Sequence, residues 1–214
     1  MPLNKTILEP YNTKVLIWRI EENVEMLLQG LVLTENCRNR LKAMKSDWHK
    51  RGFLSVRQLL AKAGYSASQL RYDDNGKPYL RDGNYISITH SHQYAAIVIS
   101  ERPVGIDVEK QRDKILRIAR KFTPLKEYKT VANDAALIRK LTFVWSAKEA
   151  VYKAMGIPGI GFLNHIVVND FSVFPLDKTT HAEVNFQNRQ ASFLLNLFEF
   201  DGFTCVYTVP SGRS

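Results

Sequence analysis

The chain is short of several things that would have narrowed its reading at once. It has two cysteines in 214 residues, Cys37 and Cys205. So few and so far apart, they form no disulfide framework and read as no metal ligands, which makes a reduced, cytoplasmic setting the default expectation. No apolar run approaches the roughly 20 residues of a membrane span. The opening Met1-Pro2-Leu3-Asn4-Lys5 lacks the apolar stretch of a signal peptide. Linkers rich in Pro, Gly or Ser are missing, and so are close repeats. Acidic residues are outnumbered, with 21 Asp and Glu against 30 Lys and Arg and a net charge of +9. That balance asks for an anionic partner. Nucleic acid is the first thought, but no nucleic-acid motif or basic run interleaved with aromatics is present, and none is expected to bind. An anionic cofactor and an acidic protein account for the charge equally well, and plain solubility would also explain it. The length suffices for a sizeable core, as one large domain or two small halves.

What is present is concentrated in two stretches. Val104-Gly105-Ile106-Asp107-Val108-Glu109 is apolar and β-branched at alternate positions and reads as a buried strand. Side chains i and i+2 of a strand share a face, so Asp107 and Glu109 project together, roughly 7 Å apart. Two carboxylates at the end of an apolar strand are costly without a positive charge between them. A hard cation such as Mg2+ takes oxygen ligands of this kind and keeps several waters. Two solvated acids at a strand end fit the same residues.

The second stretch runs from Phe143 to Lys153 and has a helical period. Val144, Ala147, Val151 and Ala154 mark an apolar stripe. Trp145, Glu149 and Lys153 stack on another face at i, i+4 and i+8. Gly156 is placed to end the helix. A third carboxylate with a lysine one turn on would complete a metal and phosphate site. Alone, the pair is also an ordinary i, i+4 surface contact worth a few tenths of a kcal/mol.

Together these residues resemble the 4′-phosphopantetheinyl transferase superfamily, in its longer, monomeric, surfactin-synthetase-activating type. The family pattern is (V/I)-G-(V/I)-D-(V/I)-E, followed by W-S-x-K-E-x-x-x-K. Val104 to Glu109 and Trp145 to Lys153 match it without a mismatch. A third family segment, G-(K/R)-P followed by a strand and S-H-S, is similar to Gly76-Lys77-Pro78 and Thr89-His90-Ser91. Thr89 stands where serine is usual and keeps the hydroxyl.

The resemblance implies an α+β fold of two similar halves, 1–103 and 104–214, related by a pseudo-twofold with the active site between them. It implies transfer of 4′-phosphopantetheine from coenzyme A to a serine of an acidic apo acyl or peptidyl carrier protein, by a cytoplasmic monomer. Adenosine 3′,5′-bisphosphate would leave. Asp107, Glu109 and Glu149 would hold Mg2+, with Mn2+ also possible. Glu149 would be the base for the carrier serine, and Lys153 would neutralise or protonate the leaving phosphate. Lys148 would contact phosphate as a point charge. His90 and Lys77, with Pro78 and Thr89, would bind the nucleotide end. A basic residue in the stretch from Glu35 to Arg51 would reach the 3′-phosphate, with Arg40, Lys50 and Arg51 the candidates, although a solvated basic face fits them too. Two other classes remain compatible with the residues: a metal-dependent nucleotide phosphohydrolase and a non-catalytic basic binding protein.

The remaining elements follow from periodicity and turn chemistry. Val15–Trp18, Tyr85–Ile88 and Ala95–Ile99 read as strands, Asn23–Leu33 as a short helix, and Phe53 to Gly64 as a helix. Glu35 to Arg51 reads as a basic helix with its connection. Asp73 to Gly76 is a turn, and Pro78 argues against a central strand. Asp113–Phe122 reads as a helix with Ile115, Ile118, Ala119 and Phe122 inward and Lys114, Arg117 and Lys121 outward, a basic ridge suited to an acidic carrier. Thr123-Pro124 opens another helix, and Lys140–Met155 is the helix described above. Gly156, Gly159 and Gly161 suggest a mobile segment, either a lid or an ordinary loop. Ile166–Val168, Ala182–Phe186 and Ser192–Phe200 read as strands, and Asp201-Gly202 turns the last into Phe203–Val209.

Overall fold

Alternating apolar strands and helices with single apolar stripes must bury those faces, and in this chain they do so twice. A computed structural model describes residues 3–124 and 133–210. Its contacts divide the chain into two compact units, Met1–Glu101 and Arg102–Ser214. Each unit lays helices on an antiparallel sheet, so the class is α+β.

The first unit contains β1 (Leu3–Glu9), β2 (Thr13–Arg19), α1 (Val24–Leu28), α2 (Glu35–Ala43), α3 (Asp47–Lys62), β3 (Leu70–Tyr72), β4 (Pro78–Leu80), β5 (Tyr85–Ser91) and β6 (Tyr94–Ser100). The sheet order is β1-β2-β6-β5-β4-β3. Helix α3 buries Phe53, Leu54, Val56, Leu59 and Leu60 in one core with Leu16, Trp18, Ile86, Ala95 and Ile97 of the sheet. The helix expected over Asn23–Leu33 stops at Leu28, and Gly30 follows with a φ of +74° that no helix continues through. Leu31 and Leu33 still pack on the core, which is why the periodicity extended to them. The basic stretch is two helices, each with its own start. The Thr34 hydroxyl accepts the Cys37 N–H at 3.2 Å to cap α2, and α3 begins after Ser46. Strand β1 has no periodic pattern to predict it because it lacks an apolar face; Leu8 is 72 % exposed. β4 lies inside the sheet, against expectation, but Pro78 is its first residue, where no ladder donor is demanded.

The second unit contains β7 (Gly105–Lys110), α4 (Lys114–Ile118), α5 (Asp134–Met155), α6 (Phe162–His165), β8 (Ile166–Val168), β9 (Thr179–Phe186), β10 (Arg189–Phe200) and β11 (Phe203–Pro210). Its sheet order is β7-β11-β10-β9-β8. Helix α5 runs 22 residues, longer than its apolar stripe, because Asn133 accepts the Ala136 N–H at 3.0 Å and caps it early. Val144, Ala147, Val151 and Ala154 are buried, and Gly156 ends the helix at a φ of +61°. Helix α4 is shorter than expected and gives way to a tight turn over Ala119–Lys121. Of the residues expected inward, Ala119 and Phe122 are buried while Ile115 and Ile118 are only partly buried against the core, and Lys114, Arg117 and Lys121 are exposed. The helix expected after Thr123-Pro124 falls on 125–132, outside the described residues. The glycine-containing segment folds back on α5, with the Phe162 ring 5.4 Å from Trp145 and 5.8 Å from Tyr152. No helix among the described residues is long and apolar enough to cross a membrane.

One buried charge in this core invites a test. Lys140 is fully buried, bonds Asp170 Oδ1 at 2.7 Å and the Phe171 carbonyl, and lies 3.5 Å from the Phe171 ring. Burial pulls its pKa down and Asp170 pushes it back. Removing one partner of such a pair costs more than removing the charge altogether. Asp170→Ala is therefore expected to cost about 2 kcal/mol, discounted because Asp170 is partly exposed, whereas Lys140→Met should be close to neutral. Urea unfolding of both variants checks the order.

Candidate functional site

Gly105 organises the second unit's site. A Cβ on it would stand 1.7 Å from the Ala150 carbonyl oxygen and 3.0 Å from the Ala154 nitrogen. No real Cβ tolerates that, so glycine here answers to the close approach of α5 rather than to a turn. The helix backbone lies directly on the first residue of β7. Glu149 and Lys153 each precede a residue at that contact, and both come to rest near Asp107.

The geometry follows from this crossing. Lys153 Nζ donates to Asp107 Oδ1 at 2.8 Å and to the Ile106 carbonyl at 3.0 Å. Asp107 is 4 % exposed. Burial raises the Glu149 pKa above its ordinary value, the negative charge of Asp107 raises it further, and Lys153 opposes both. Asp107, Glu149 and Lys153 thus share a single field. Glu109 is partly exposed on the same strand, opposite Thr204 of β11, while Asp107 stands opposite Val206. Among the described residues no three His, Cys, Asp or Glu side chains gather into a group that could hold a metal ion. Lys153 instead takes one oxygen of Asp107.

A consequence concerns pH. A carboxyl whose folded pKa lies above its unfolded value binds its proton more tightly in the folded chain. Its ionisation therefore costs stability above the folded pKa, and the cost disappears as pH falls through it. Glu149→Gln is expected to raise the melting temperature at neutral pH, with the difference from the parent shrinking as the pH approaches 4. Melting curves over that range check it.

Lys148 is placed otherwise than expected. It is fully buried, and its Nζ donates to the carbonyls of Phe162 at 3.0 Å and Ile166 at 2.7 Å. Its ammonium ties α6 and the start of β8 to α5, so it is a structural donor and not a phosphate contact. The face of α5 that is buried is wider than the stripe of Val144, Ala147, Val151 and Ala154, and Lys148 falls inside it.

The first unit positions the remaining expected residues. Thr89 is buried in β5 and His90, next to it, is exposed. The His90 ring sits over Gly52 of α3, where a Cβ would be 3.3 Å from it. Arg51, adjacent in α3, donates to the Ile20 carbonyl at 3.0 Å and stacks over the Trp48 ring at 5.2 Å. Trp48, itself 42 % exposed, meets the His92 ring edge-on at 6.5 Å. His92 holds a φ of +47°, uncommon for a side-chain-bearing residue. Arg51 and His90 are thereby brought to one helix end, beside two aromatic groups that the sequence reading passed over; Trp48-His49-Lys50-Arg51 was the available signal. Arg40 lies over two other rings, 5.4 Å from both Phe53 and Tyr72. Lys77 is half-buried, and burial lowers its pKa against the pull of Asp73. Pro78 follows it at the start of β4.

Comparison with known proteins adds a separate line of evidence. A family model described as the 4′-phosphopantetheinyl transferase superfamily matches residues 103–207. The chain is 30 % identical over 139 residues to the 4′-phosphopantetheinyl transferase gsp of Aneurinibacillus migulanus, covering 63 % of this chain and 55 % of that protein. It is 32 % identical over 88 residues to the 4′-phosphopantetheinyl transferase psf-1 of Bacillus pumilus, covering 39 % of this chain and 38 % of the relative. A 4′-phosphopantetheinyl transferase of Bacillus subtilis is 28 % identical over 145 residues, 64 % of each chain. The matches span less than two thirds of each of these relatives.

Proposed function

We propose, from the match of residues 103–207 to the 4′-phosphopantetheinyl transferase superfamily, that the chain moves the 4′-phosphopantetheine arm of coenzyme A onto a serine of an apo acyl or peptidyl carrier protein. Adenosine 3′,5′-bisphosphate leaves. The observation that carries the reading is the Asp107–Lys153–Glu149 cluster that the Gly105 crossing assembles.

The chemistry is attack of a hydroxyl on the pantetheine-side phosphorus of a pyrophosphate. Such transfer is catalysed mainly by positioning and by charge placed on the non-bridging oxygens. Glu149 suits the base that takes the serine proton, because burial and Asp107 raise its proton affinity. Lys153, which Asp107 orients, is the cation proposed to offset the developing charge on the leaving phosphate. The ion proposed is Mg2+, or Mn2+, which is commonly taken by one or two carboxylates and completed by phosphate oxygens and water. Asp107 and Glu149 would hold it, with Glu109 the third proposed ligand. When bound, the ion supplies charge neutralisation on the pyrophosphate.

Coenzyme recognition is proposed for His90, Thr89, Lys77 and Pro78, with Arg51 and Arg40 as the basic residues proposed for the 3′-phosphate. The exposed Lys114, Arg117 and Lys121 are proposed to meet an acidic carrier. We take a cytoplasmic monomer as the setting. Calorimetry tests the coenzyme part: coenzyme A should bind more tightly than its 3′-dephospho form by about 1.5–3 kcal/mol, the worth of a charge-assisted phosphate contact. Equal affinities would remove the basic residues from the site. Incubated with coenzyme A and Mg2+ but no carrier, the chain should leave the coenzyme intact; its hydrolysis would point to a phosphohydrolase instead.

A further inference from the structure

The core of the first unit contains a positive charge with no carboxylate against it. Arg57 of α3 is 5 % exposed, and a guanidinium stays protonated in proteins. Its Nη1 reaches the Phe53 carbonyl at 3.4 Å, its plane stacks on the Phe53 ring at 3.6 Å, and its Nε is buried without a hydrogen-bond partner. No ion pair between Arg57 and an Asp or Glu occurs among the described residues. The remaining contact is Nη2 to Cys37 Sγ, at 3.9 Å.

Cys37 is the third residue of α2, in the turn capped by Thr34. Unpaired backbone N–H groups and the helix dipole favour negative charge there. Cys37 is 7 % exposed. Cys37 belongs to the apolar core cluster of the first unit, as does Phe53, the ring on which Arg57 stacks. A buried charge in such surroundings is costly unless an opposite charge meets it, and among the described residues the group in contact with it that can supply one is the Cys37 sulfur.

We propose that Cys37 is a thiolate paired with Arg57, and that this pair is a modification site for small electrophiles of the peroxide type. Burial by itself pushes the thiol pKa up, but hydrogen bonding from Thr34 and the charge of Arg57 outweigh it, so the thiol titrates below its ordinary value. Arg57 is the charged group that acts on it. In the reaction the thiolate attacks one peroxide oxygen. The S–O bond forms, the O–O bond breaks and hydroxide leaves. The sulfur is oxidised by two electrons to a sulfenic acid. Arg57 then loses its counter-charge beside Phe53, the ring on which Arg40 also stacks. Any effect on coenzyme affinity through Arg40 rests on the proposed function; the thiolate does not.

The full chain with Cys205→Ala isolates Cys37. Its thiolate ultraviolet absorbance should titrate with a midpoint below about 8.5, the ordinary thiol value, and Arg57→Met should raise that midpoint and slow alkylation at neutral pH about tenfold. Dilute hydrogen peroxide followed by dimedone should give a single adduct, absent when Cys37→Ser is added. A midpoint at or above the ordinary value overturns the ion pair, whether or not Arg57→Met folds. A low midpoint without the adduct overturns the modification site. Failure of the chain to bind coenzyme A would leave both outcomes standing, which separates this inference from the proposed function.

Discussion

Gly105→Ala should abolish transfer and cost about 3 kcal/mol of stability, the upper end of what overpacking a core does. The added methyl would stand 1.7 Å from the Ala150 carbonyl oxygen, and what must yield is helix backbone rather than a flexible side chain. Helix α5 can accommodate it only by lifting off β7. That motion pulls Glu149 and Lys153 away from Asp107, so activity falls even in the fraction that stays folded. Gly161→Ala is the control: its Cβ would meet the His165 ring at an ordinary 3.5 Å, and the expected change is within about 0.5 kcal/mol. Urea unfolding and carrier modification on both variants test this. Near-parental values for Gly105→Ala would mean that the helix and strand are not held by this contact.

Asp107→Ala should reduce transfer by about a thousandfold, the scale of removing a preorganised charge from a reaction site, while circular dichroism remains that of the parent. Two losses combine. Lys153 Nζ keeps the Ile106 carbonyl but loses the carboxylate 2.8 Å away that orients it. Glu149 loses the negative neighbour that raises its pKa, and so becomes a weaker base. The pH–rate profile of Asp107→Asn should accordingly shift its acidic limb to lower pH. A slow variant with an unshifted limb would separate the metal role of Asp107 from its influence on Glu149.

Much of this site could be read from the chain before any coordinates. The alternation from Val104 to Val108 predicts a strand, and it places Asp107 and Glu109 on one face by period alone. The i, i+4, i+8 spacing sets Glu149 and Lys153 on one helix face in the same way. What local pattern does not contain is which helix meets which strand. Gly105 reads as a weak strand residue until the Ala150 carbonyl is seen against it. Lys148 and Lys153 are alike in sequence, yet one is buried against carbonyls of Phe162 and Ile166 and the other bonds Asp107. Only the packing around α5 tells them apart. Arg51 and His90 are legible one by one, but their meeting with Trp48 and His92 is not, since it joins a helix and a hairpin through the missing side chain of Gly52.

The most direct measurement is the intact mass of several apo carrier proteins, acyl and peptidyl, after incubation with the chain, coenzyme A and Mg2+. The account predicts that at least one carrier gains a single phosphopantetheine on its serine, that adenosine 3′,5′-bisphosphate appears in equal amount, and that Glu149→Gln prevents both. Unchanged masses across the carriers, from a chain shown to be folded and to bind coenzyme A, would contradict it.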